Sequence, residues 1–154
     1  MTKLLVVCLG VILSLPATEA FTPAERIGHL PRALFRFETS AGKYTIRSDG
    51  FVEIYAYQRK RVFYLSMPSK GRLERVYFIA HEGDLLLRYD VIDQGTYLTR
   101  IEQTPSGRLG GRKRKWVTEL PNQPDQVPVI DGDLVIVSHN IIVHKDSGSI
   151  VRQD

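Results

Sequence analysis

The stretch that most constrains this chain is residues 127–151, VPVIDGDLVIVSHNIIVHKDSGSIV. An Asp131-Gly132 turn leads into the apolar run at residues 134–137, and a break at residues 138–140 leads to a second run at 141–143. Asp146-Ser147-Gly148 then turns the chain into residues 149–151. Glycine supplies the backbone conformations that side-chained residues resist, so the pattern reads as strand, turn, strand, turn, strand. The apolar runs are continuous rather than alternating, which suits strands covered on both faces.

The rest of the chain repeats this grammar loosely. Residues 35–39, 44–47, 51–57, 62–67, 75–80, 85–91, 96–103 and 116–120 are rich in aromatic and β-branched residues and are separated by Gly, Pro, Ser and Asp turns. Gly50, Gly83 and Gly132 each precede an apolar run, while Gly71, Gly107 and Gly148 each close a small polar turn. Gly83-Asp84-Leu85 and Gly132-Asp133-Leu134 are identical triplets. The expected fold is all-β, built from antiparallel strand–turn units, with an open sandwich one arrangement they could take. One short helix is expected in a lead-in at residues 21–33. Thr22 can cap it, Pro23 suits its first position, Glu25 can complete a capping box, and Gly28 and Pro31 limit it to about two turns.

Residues 1–20 read as a cleavable export signal. Lys3 precedes an apolar run at residues 4–15, Pro16 ends it, and Thr18-Glu19-Ala20 places small residues at the key cleavage positions. The run is shorter than the roughly 20 apolar residues of a membrane span. Its removal leaves residues 21–154 as a single domain, with residues 34–154 its all-β body, and takes away Cys8, the only cysteine. An exported domain without disulfides points to the bacterial periplasm, with secretion the broader expectation.

The motif of residues 127–151 resembles a repeat of the quinoprotein-type (PQQ-like) β-propeller family. Asp131-Gly132 matches the first turn of such a repeat, Lys145-Asp146-Ser147-Gly148 its closing turn, and Lys115-Trp116 the tryptophan-bearing strand before it. The resemblance implies blade-like sheets and a protein-binding role. A blade takes roughly 40 residues and a propeller typically 4–8 blades, so this chain has room for about three and would close a ring only by oligomerising. The calcium-liganding and quinone-stacking residues of the catalytic members have no counterpart here, so no cofactor and no dehydrogenase chemistry are expected.

Other chemistry is sparse. His139 and His144 stand five apart across a turn but want a third ligand for a metal. The pairs Asp131/Asp133 and Asp90/Asp93 fall where Asp favours turns, and His81-Glu82 lacks the second histidine of a zinc-protease helix. No G-x-S-x-G elbow and no phosphate loop occur.

The net charge is +4, and its one local concentration is Arg112, Lys113, Arg114 and Lys115, running into the only tryptophan, Trp116. Glycines at 107, 110 and 111 make an exposed loop the expectation, with Trp116 the first residue held by the core. These five residues are the expected contact with an anionic envelope component or a protein partner. Nucleic acid is disfavoured by export. The expected function is non-enzymatic binding or scaffolding. The alternatives are a barrel or sandwich holding a hydrophobic ligand, and an envelope-polymer hydrolase or lyase.

Overall fold

Strand β9 (Asp84–Val91) is buried at every one of its eight residues, and the rest of the architecture follows from how it is covered. The computed structural model describes residues 18–103, 114–122 and 124–151. Among these there is no helix, and the strands form three antiparallel sheets, none closed into a barrel.

Each sheet is a four-stranded meander plus one strand from the N-terminal segment. The first meander comprises β4 (Leu34–Thr39), β5 (Gly42–Arg47), β6 (Phe51–Ala56) and β7 (Arg59–Tyr64). The middle one comprises β8 (Leu73–His81), β9, β10 (Gly95–Glu102) and β11 (Arg114–Leu120). The last comprises β12 (Val129–Asp131), β13 (Leu134–Ser138), β14 (Ile141–His144) and β15 (Ile150–Val151). The N-terminal segment adds β1 (Glu19–Ala20) to β12 of the last sheet, β2 (Thr22–Pro23) to β8 of the middle sheet, and β3 (Glu25–Ile27) to β4 of the first.

This segment corrects the expectation of a short helix. A two-turn helix leaves most of its own N–H and C=O groups unpaired, because each end orphans about four. Extended, the same residues bond to the sheets they cross. Phe21 N–H donates to Pro128 O (2.9 Å), Ala24 N–H donates to Val76 O (2.8 Å), and Pro23 occupies an edge strand, where a missing N–H is tolerated. Successive strands begin three residues apart, which is about 10 Å of extended chain and also the spacing of sheets packed face to face. The segment is therefore a strap across the edges of a three-layer stack.

Two apolar clusters fill the stack. Phe35, Phe37, Tyr44, Ile46, Val52 and Ile54 of the first sheet meet Leu85, Leu87, Tyr89 and Val91 of β9. On the other face Leu86, Leu98 and Trp116 meet Ile130, Val135, Val137, Ile141 and Val143 of the last sheet. Val135, Val137, Ile142 and Val143 are all buried, as their continuous apolar runs predict.

The two Gly-Asp-Leu triplets sit one residue out of step. His81 pairs with Asp84 around a Glu82-Gly83 turn in which both residues are left-handed (φ 52° and 77°). Asp131 pairs with Leu134 around Gly132-Asp133, where Gly132 has φ 58° and Asp133 is not left-handed. A one-residue slip changes which side chains enter the sheet. Asp84 thus opens a strand at 5% exposure, while Asp133 is left exposed in its loop. The sequence alignment of Gly50 with Gly83 and Gly132 is likewise displaced: Gly50 joins the second and third strands of its meander, whereas the other two join the first and second.

Candidate binding surface

The basic run does not form one loop. Arg112 and Lys113 lie outside the described residues, but Arg114 and Lys115 belong to β11. The β10–β11 register shifts there, with Arg100 opposite Trp116 and Ile101 opposite Arg114. A bulge of this kind leaves one residue unpaired and re-aims its neighbours. Lys115 consequently reaches Asp84 Oδ2 (2.8 Å), and Trp116 packs toward the last sheet and donates its indole N–H to Lys145 O (3.0 Å). Trp116 is thereby held by the core, as expected. Arg114 goes the other way, to a cleft between the first and middle sheets. Of the five residues singled out in the sequence, the three that are described are split between two faces, with Arg114 on one and Lys115 and Trp116 on the other.

Lys115 joins a charged cluster at the end of the middle and last sheets. Arg100 donates to Asp84 (Nε–Oδ2 2.6 Å) and to Asp146 (Nη1–Oδ1 2.7 Å), and Lys145 donates to Glu82 Oε1 (3.2 Å) and Gly132 O (3.2 Å). His81 lies 3.1 Å from Glu19 and 3.3 Å from Lys145 Nζ. Acids, cations and a histidine from several strands do converge here, but Glu82, Asp84 and Asp146 each have a Lys or Arg side chain within reach. The hydrogen bond from Lys145 holds Glu82 below its ordinary pKa, and that from Arg100 does the same for Asp146. Such carboxylates stay ionised, which suits binding cations rather than delivering protons.

A second cluster lies deeper. Arg88 and Asp90, both fully buried, pair at 3.2 Å, and Asp90 also takes Arg75 (2.7 Å) and Thr96 Oγ1 (2.9 Å). Arg88 donates to the carbonyls of Pro124 and Gln126, tying the connection before β12 onto β9. Asp90 is therefore a core anchor rather than a turn residue, and Asp93 is exposed in the following turn. His144 pairs opposite Leu134, whereas His139 lies in the turn at the far end of that hairpin, so the two do not face each other. Among the described residues no group of three or more His, Cys, Asp or Glu is placed to hold a metal ion.

The feature that sequence reasoning missed is the outer face of the first sheet. Val52 and Ile54 point inward at 0% exposure, which turns Phe51, Glu53 and Tyr55 outward. Tyr55 (56%), Tyr57 (85%), Val62 (54%) and Tyr64 (66%) are all exposed, and all belong to the β6–β7 hairpin. Tyr57 and Gln58 form its turn, both left-handed (φ 50° and 59°), a conformation uncommon for an aromatic residue. Lys43, Tyr55 and Lys60 are cross-strand neighbours, and Lys60 Nζ also meets Glu53 (2.6 Å). Phe51 packs edge-on to Tyr64 (centroids 5.0 Å apart) beneath the Arg47 guanidinium, 4.7 Å from the Phe51 centroid. The signal was in the sequence: Glu53 shares a parity with Phe51 and Tyr55, and a Glu marks the wet face of a strand.

Tyr64 also borders the cleft that receives Arg114. Phe63, Tyr64, Leu65 and Ser66 form one wall and Thr99, Ile101 and Arg114 the other, around about 200 Å³. The Tyr89 hydroxyl, its pKa raised by burial, donates to Ser66 O (2.7 Å) at this wall. Tyr64 is thus shared between the exposed face of the β6–β7 hairpin and the cleft that receives Arg114.

No family model matches this chain, and neither does any curated protein or solved structure. Among the described residues no helix is long and apolar enough to cross a membrane.

Proposed function

We propose that this protein is a non-enzymatic binding or scaffold domain, working outside the cytoplasm, that contacts an anionic envelope polymer through the surface around β7. The observation that carries this reading is the gathering of Tyr55, Tyr57, Val62 and Tyr64 on one hairpin, beside Lys43, Lys60 and Arg114. Contiguous exposed apolar groups rimmed by charge mark interaction sites. Tyrosine offers a rigid apolar body with a polar tip, and the cations supply attraction to a polyanion.

Propeller-like organisation is supported by the topology. Three four-stranded meanders follow one another in chain order and stack face to face, with their first strands aligned along one strap. A closed ring would need further blades from other copies. Export rests on the apolar run at residues 4–15. Cleavage after Ala20 would remove β1 and begin the mature chain at Phe21, itself buried and bonded to Pro128 O. The half-open cleft favours a second reading, a small apolar ligand, since a cavity of about 150 Å³ is enough to hold benzene.

The test is co-sedimentation with polygalacturonate as salt is raised, with phosphatidylglycerol vesicles as the comparison. Raising salt from about 0.1 M to 1 M shortens the screening length from about 10 Å to 3 Å, so binding should fall steeply. Arg112→Ser, Lys113→Ser and Arg114→Ser together should weaken it at low salt; Lys115 is left in place because it holds Asp84. Binding that ignores both salt and the triple substitution contradicts the proposal.

A further inference from the structure

Strand β7 ends the first sheet. On the opposite edge β3 covers β4, but among the described residues nothing pairs with the outer side of β7. Its ladder with β6 is regular from Ala56↔Arg59 to Phe51↔Tyr64, so the free edge is straight and carries no bulge. Such an edge is a template for another strand unless something deters it.

The side chains along this edge are ordered. Arg59, Lys60 and Arg61 come first, then Val62, Phe63 and Tyr64. Turned end for end against its own copy, the strand sets its cationic half against its aromatic half. A two-fold axis perpendicular to the sheet keeps each side chain on its own face, so only residues of equal parity can meet. Centring the axis on Val62 meets this condition. Val62 then faces Val62 of the second copy, Lys60 faces Tyr64, and on the inner face Arg61 faces Phe63. Centring on Arg61 would set Lys60 against Val62 and leave Tyr64 without an opposite residue in the strand, and centring on Phe63 would leave only residues 62–64 paired. One register is therefore favoured and its neighbours are penalised.

We propose that the chain forms a symmetric dimer through β7, joining two first sheets into one continuous antiparallel sheet. Val62 and Tyr64 are more than half exposed and free to meet a second copy. Lys60 can keep Glu53 at its ammonium while its aliphatic stem lies on the tyrosine ring of the second copy. The segment at residues 104–113 is a poorer occupant, because it carries Arg108, Arg112 and Lys113 and no acidic residue. The dimer does not depend on the proposed anionic partner and is read by mass rather than by ligand.

Sedimentation velocity over a concentration series tests this with the purified chain and no ligand added. The mass should rise to twice the monomer's with concentration. Val62→Lys, which sets two ammonium groups on the axis while altering only an exposed position, should leave a monomer with unchanged circular dichroism. Lys60→Glu should weaken the dimer, and adding Tyr64→Lys should restore it by placing a carboxylate opposite an ammonium across the axis. A chain that stays monomeric throughout overturns the proposal, including one whose β7 resonances respond only to an added polyglutamate peptide. So does a Val62→Lys variant that dimerises like the parent.

Discussion

Gly148 lies directly against the indole of Trp116, so close that a β-carbon at 148 would stand 2.6 Å from Cδ2 and 2.7 Å from Cε3. Thr118 Oγ1 donates to Gly148 O (2.6 Å) and the indole N–H donates to Lys145 O (3.0 Å), so the turn between β14 and β15 is clamped onto β11. Gly148 is also left-handed, at φ +72°. Gly148→Ala should therefore meet both a backbone penalty and an overpacking penalty, together roughly 2–4 kcal/mol. Urea unfolding reads the loss directly. A midpoint equal to the parent's would mean that the last sheet is not held through this contact.

The two identical triplets give a paired prediction. Asp84→Ala strips the carboxylate from Arg100 and Lys115 and leaves Arg100, with only 6% of its side chain exposed, short of its closest partner. Breaking a buried pair from one side costs about 3–5 kcal/mol. Asp133→Ala removes an exposed loop carboxylate 3.9 Å from Lys145 and should change stability by no more than about 0.5 kcal/mol. Equal effects in denaturant titrations of the two variants would show that the triplets occupy equivalent positions after all.

Acid should loosen the same end of the stack. The Lys145 ammonium and the Arg100 guanidinium keep Glu82 and Asp146 below their ordinary values of 4.5 and 3.8. As pH falls, the unfolded chain takes up these protons before the folded one does, so the stabilisation is complete near neutrality. It begins to decline through the ordinary carboxylate range and is lost once the lowered folded values are passed. Denaturation midpoints measured from pH 7 to pH 3 should drop in this window, and Asp146→Asn should flatten part of the drop. A midpoint that rose toward pH 3 would reverse the assigned sign.

Much of the fold was legible because it depends on local pattern. The buried runs at Val135, Val137, Ile142 and Val143 and the Gly-bearing turns mark strands without knowledge of their neighbours. The strap was not legible. Thr22, Pro23 and Glu25 carry good helix-start chemistry, and only the unfilled edges of three separate sheets make the extended form better. The bulge at Lys115 was hidden for a similar reason: four consecutive cations look like a loop until buried Asp84 claims one of them. The tyrosine face was readable in part, since Glu53 sets the parity of β6. That Tyr57 would hold a left-handed turn, and that Tyr64 would border a cleft with Arg114, depends on contacts between strands far apart in sequence.

The measurement that bears most directly on the binding surface is amide chemical-shift mapping of the isotope-labelled chain titrated with polygalacturonate at low salt. Shifts should concentrate at Tyr55, Tyr57, Lys60, Val62, Tyr64 and Arg114, and should collapse when salt is raised. Residues of β13 and β14, two layers away on the far side of the stack, should stay still. Perturbations centred on β13 and β14, or none at any ratio of polymer to protein, would contradict a binding surface around β7.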